Sequence, residues 1–149
     1  MFQDLIKMRG DVTVQVFDKD GNVKDSRQIK NMVVTAGKEF IAASMLKTTT
    51  NSPAAMSHMA IGSDNTAAAL GNTALGTELG RVSLTSGTAS GAVVTYVATF
   101  PAGTGTGAVV EAGILNASSS GTLLCRTVFA VVNKGADDTM SVTWAITVS

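Results

Sequence analysis

Apolar and polar positions alternate with a period of two along much of the chain, the spacing of a half-buried strand whose successive side chains point to opposite faces. Residues 141–148 place Val142, Trp144, Ile146 and Val148 on one side and Ser141, Thr143, Ala145 and Thr147 on the other. This predicts a strand with one apolar face. Residues 122–132 set Leu123, Cys125, Thr127, Phe129 and Val131 against Leu124, Arg126, Val128 and Ala130, apolar on both sides, as a central strand would be. In residues 92–100, Val94, Tyr96, Ala98 and Phe100 alternate with Val93, Thr95, Val97 and Thr99 until Pro101, which has no N–H for a ladder, ends the run. Shorter strands are predicted at 56–61, 81–86 and 109–116, with turns at Ser86-Gly87, Ser90-Gly91, 103–107, 118–121 and 134–138. Many short strands at this spacing predict a mainly β fold, an antiparallel β-sandwich of jelly-roll type.

The N-terminal part follows other rules. Val12, Val14 and Val16 alternate up to Asp18-Lys19-Asp20-Gly21-Asn22, whose Asp-Gly pair suits the positive φ of a tight turn, and Val23 leads back. A β-hairpin with a charged tip is predicted. After 29–34, Thr35 is the expected N-cap of one short α-helix over 36–46, with Phe40, Ile41, Ser44 and Met45 on or beside one face. Residues 48–53 read as a polar loop ended by Pro53, and 65–80 as an Ala/Gly/Thr-rich connection with room for a helical turn.

Charge is unevenly placed: 14 of the 22 Asp, Glu, Lys and Arg residues precede Thr48. Exposed strands of a solitary β domain normally keep charge to prevent edge-to-edge association, so the bland C-terminal body points to an assembly. The 149 residues fit one domain, divided into an arm (1–10), hairpin plus helix (11–47) and sandwich body (48–149). Formal charge is zero, which gives no overall field toward nucleic acid or anionic lipid. No stretch has the length of a signal peptide or a membrane span, so synthesis in the cytoplasm without membrane attachment is expected.

Candidate chemistry is sparse. The lone cysteine, Cys125, sits in a strand pattern and reads as a small buried apolar residue. His58 is the single histidine, so a Ser-His-Asp arrangement would rest wholly on it; an inert strand histidine is the simpler reading. Asp18, Asp20 and Asn22 mimic the start of a calcium loop, but Val23 stands where the loop needs glycine and Ile29 where it needs a bidentate glutamate. Gly103, Gly105 and Gly107 lack phosphate-loop spacing and lead into a strand, which predicts a mobile loop. The acids Glu78, Glu111, Asp137 and Asp138 show no pairing in the sequence. No catalytic residue, cofactor or metal site is predicted.

Five segments carry a resemblance: 56–64 (MSHMAIGSD), 72–81 (NTALGTELGR), 94–100 (VTYVATF), 111–116 (EAGILN) and 140–148 (MSVTWAITV). Together they resemble small virion structural proteins of tailed bacteriophages. The length and the hairpin-plus-helix preface are similar to capsid cement, or decoration, proteins of short-tailed phages. That resemblance implies a non-enzymatic protein on the capsid exterior that binds the major capsid protein and stabilises the shell. It also implies self-association, as a homodimer or alternatively a trimer. A tail-fibre or baseplate protein and a carbohydrate-binding β-sandwich are the alternatives. Candidate interface residues are Met1, Phe2, Leu5, Ile6 and Met8, which would strap onto a neighbour or else fray. Glu78 and Arg81 complete the set; one turn apart on a helical loop, they would be a solvated pair or an intersubunit clamp.

Overall fold

The computed structural model describes residues 5–46 and 52–149. Nine strands and one helix follow in the order β1 (Met8–Phe17), β2 (Val23–Val33), α1 (Thr35–Ser44), β3 (His58–Gly62), β4 (Glu78–Ser83), β5 (Ser86–Ser90), β6 (Val93–Phe100), β7 (Gly107–Leu115), β8 (Leu123–Lys134) and β9 (Thr139–Val148). They form one antiparallel sheet in the order β4-β3-β7-β8-β2-β1-β9-β6-β5. The fold is therefore mainly β, antiparallel and sandwich-like, with the expected N-terminal hairpin and one helix. Its two layers are halves of a single curled sheet.

The fold-over happens at β2. Along most of its length β2 pairs with β1, but at Met32 and Val33 alone it pairs with β8. The period-two positions of the two halves meet across the curl: Val12, Val14, Val16, Phe100, Met140, Val142 and Trp144 pack against Met59, Ile61, Val109, Ile114, Cys125 and Val132. Each large apolar side chain so buried is worth roughly 1.5 to 3 kcal/mol, and these positions hold the layers together. Cys125 is buried in this core, and burial raises its thiol pKa well above the ordinary value.

The hairpin turn keeps the predicted chemistry, with Gly21 at φ 82° and Asp18 Oδ1 accepting the N–H groups of Asp20 and Asn22, each at 2.9 Å. Both of its strands run farther than the valine alternation indicates. The helix differs in detail: Val34 rather than Thr35 is the N-cap residue, with no side-chain cap. Phe40 and Ile41 pack on the core, whereas Met45 is 80% exposed. Gly37 is buried against the Leu124 carbonyl, where any Cβ would collide with backbone. Residues 63–77 hold no helix. Nor is the 103–107 segment loose, because Gly105, at φ 71°, is buried against Ile61. An additional strand, β5, occupies what the sequence reads as two turns. Leu84 and Thr85 alone separate the two edge strands β4 and β5 in the chain.

Candidate interaction surfaces

At one end of the molecule the backbone of Lys7 exchanges hydrogen bonds with Ser149, 2.7 and 2.8 Å, and Met8 opens β1. The arm is thus tied from Lys7 onward. Leu5 and Ile6 lie just before the tie and are 68% and 77% exposed. Ile6 and Met8 line a groove of about 630 Å³ with Met32, Val33, Ile41 and Leu70. Lys7 and Lys38 contribute cations and Asn31 an amide. Leu70 is held there by its carbonyl, which accepts the Thr35 N–H at 2.9 Å, yet remains half exposed. The Asn31 amide lies over its cross-strand neighbour Gly10, where a Cβ would occupy the same space, and its nitrogen and oxygen are buried without partners. Large apolar groups open to solvent therefore gather around one groove. Of the predicted interface residues, Leu5, Ile6 and Met8 come together here; Met1 and Phe2 lie outside the described residues.

Glu78 and Arg81 sit elsewhere, on β4 rather than on a helical turn. Three residues apart, they would point to opposite faces of a regular strand. A β-bulge between Ile61 and Gly62 in the pairing inserts Leu79, so that Glu78 opposes Gly62 and Arg81 opposes Ala60 on one face. The pair closes at 2.7 Å. Arg81 also donates to the carbonyls of Ala117 at 2.9 Å and Ser120 at 3.0 Å, so its donors tie the 117–120 turn to the sheet edge.

Sequence reasoning missed a buried Glu111–Arg126 pair on the outer face of the β3-β7-β8 half, joined at 2.9 Å. Glu111 accepts the backbone N–H groups of Asp64 (3.2 Å), Gly76 (3.0 Å) and Thr77 (2.8 Å). Arg126 donates to the Thr66 carbonyl at 3.0 Å and the Asn72 amide oxygen at 3.2 Å. This polar knot moors residues 63–77 on the sheet. Gly62 and Gly76 admit the close approach, since a Cβ on either would collide with the Glu111 or Asp64 carboxyl. The backbone N–H and hydroxyl of Thr66, aided by Arg126, hold the Asp64 pKa below its ordinary value. A usable signal exists: a charged residue inside each of the apolar runs 109–115 and 123–132 demands a buried partner.

His58, Asp138 and Lys134 are held by hydrogen bonds within the fold. The ring nitrogens of His58 face the hydroxyls of Ser57 at 2.8 Å and Ser83 at 3.4 Å, with no carboxylate on either side. Asp138 accepts from Lys24 at 2.6 Å and from the Gly135 N–H at 2.7 Å, and these bonds lower its pKa. Buried Lys134 donates to the Pro101 carbonyl at 2.9 Å, and its pKa is lowered by desolvation. The described aromatic residues are buried or half buried. No helix among the described residues is long and apolar enough to cross a membrane. Comparison with protein-family models, curated proteins and solved structures returned no match.

Proposed function

We propose that this protein is a non-enzymatic virion component, a cement protein that binds the outer face of a phage capsid and stabilises its shell of major capsid protein. The observation that carries the reading is the apolar end: of the exposed large hydrophobic residues, Ile6, Met32 and Leu70 line a single groove, and Leu5 precedes it in the chain. Contiguous apolar surface of this kind marks a contact site. Supporting it, all five segments with phage-protein resemblance contribute to or border the Glu111 mooring or the core strand β9. They build the sheet that carries the groove-lining elements. Under this reading the rigid body presents the groove to the coat subunit, and affinity comes from many summed contacts over a permanent interface of about 2,000 Å² or more.

The test mixes purified protein with coat-protein shells and counts bound copies. The double substitution Ile6→Asp, Leu70→Asp should reduce occupancy by at least about tenfold while leaving the circular dichroism spectrum unchanged. Undiminished occupancy would remove the groove from the mechanism. A few copies at a tail vertex instead of many over the head would place the same chemistry in the tail.

A further inference from the structure

We infer that β5 is a self-pairing edge through which two copies of this chain join across a twofold axis at Thr88. The two edges of the curled sheet differ. At the β4 edge, Glu78 and Arg81 supply charge, and the bulge at Leu79 breaks the line of the strand. Both devices discourage a further strand. The β5 edge has neither. Its five residues, Ser86-Gly87-Thr88-Ala89-Ser90, are all exposed, carry no charge and include no proline, and they pair with β6 in unbroken register. Among the described residues only β6 pairs with this strand, whose other side presents N–H and C=O groups to any strand that aligns with it.

The occupant follows from the sequence of the strand, which is nearly symmetric about its centre. In an antiparallel pair of two β5 strands, Thr88 opposes its twin, Gly87 opposes Ala89 and Ser86 opposes Ser90. Every pairing is small or hydroxylic, so no side chain clashes and no like charges meet. Because the arrangement is the same viewed from either copy, it satisfies the requirement of an isologous interface. Gly87, Thr88 and Ala89 border a groove of about 430 Å³ lined also by Phe40, Met56, Val94 and Tyr96, and a twofold pair would set the two grooves side by side. This pairing stands independently of the shell reading, because it needs only the purified chain.

Thr88 makes the test selective. Thr88→Cys places two thiols opposite each other on the axis, at the cross-strand spacing of about 5 Å. Ser86→Cys holds its two thiols roughly 13 Å apart, four residues along the strand. Native Cys125 is buried and does not compete. Mild oxidation, or a thiol linker shorter than that separation, should convert Thr88→Cys to covalent dimer and leave Ser86→Cys monomeric. In sedimentation, Thr88→Lys should raise the dissociation constant of the dimer by at least about tenfold, because two cations then meet at the axis. The inference is overturned if the native chain sediments as a monomer up to its solubility limit. It is equally overturned if Ser86→Cys links as fast as Thr88→Cys, or if Thr88→Lys associates as tightly as the native chain.

Discussion

The two halves of the sheet solve the same problem differently. In the β2-β1-β9-β6 half, the inner face carries Val12, Val14, Val142 and Trp144, and the outer face carries Thr13, Gln28, Ser141 and Thr143, partly or wholly open to solvent. Period two suffices there. In the β3-β7-β8 half both faces are covered, the inner by the core and the outer by residues 63–77, and a buried ion pair holds the cover in place. The loop's own apolar anchor on that face is Leu75, packed beside Ala60, Leu115 and Leu123. Glu111 and Arg126 add directed hydrogen bonds to that contact, which fix one geometry and lose much when a single partner is removed.

The sharpest way to break this contrast is Arg126→Ala. It leaves Glu111 buried and charged without its counterion, and it should cost about 3 to 5 kcal/mol in denaturant unfolding. Hydrogen exchange should quicken first at the N–H groups of Asp64, Gly76 and Thr77. A loss under about 1 kcal/mol would mean that the loop stays down without the knot. Between the halves, Asp138 joins β2 to the β8–β9 turn through Lys24 and Gly135. Its pKa is lowered in the folded state, so its contribution is present above the ordinary aspartate value and is lost as pH falls through the folded one. Asp138→Asn should therefore flatten the acid limb of a stability-against-pH curve, and an unchanged limb would refute the linkage. The smallest effect is expected on the open face, where Thr143→Lys should change unfolding free energy by no more than about 0.5 kcal/mol. A larger loss there would show that this outer face, too, depends on specific packing.

Strands with strong alternation were legible from sequence because burial of one face dictates the pattern; β6, β8 and β9 lie within two residues of expectation at each end. By contrast, β5 was invisible. Ser86-Gly87-Thr88-Ala89-Ser90 has one β-branched residue and no apolar face, and it is a strand only because β6 offers it a ladder. The arm, expected over residues 1–10, gives way to β1 already at Met8, where pairing to Val148 begins. Glu78 and Arg81 were recognised as a pair for the wrong local geometry, since a bulge cannot be read from spacing alone. The Glu111 knot escaped because its partners lie 15 to 47 residues away, and nothing local reports which loop a buried carboxylate will grip.

The strand order also dictates when the molecule can be finished. Strand β1 is flanked by β2 and by β9, and the β5-β6 hairpin joins the sheet through β9 alone. A nascent chain would therefore carry the first hairpin with the β1 edge unpaired, and later the β5-β6 hairpin without an attachment, until the ten-residue strand β9 emerges. Cohesion arrives last, in a single docking event. Until then the polypeptide is two unjoined fragments, vulnerable to aggregation and to proteases for the whole time that the ribosome takes to reach Trp144.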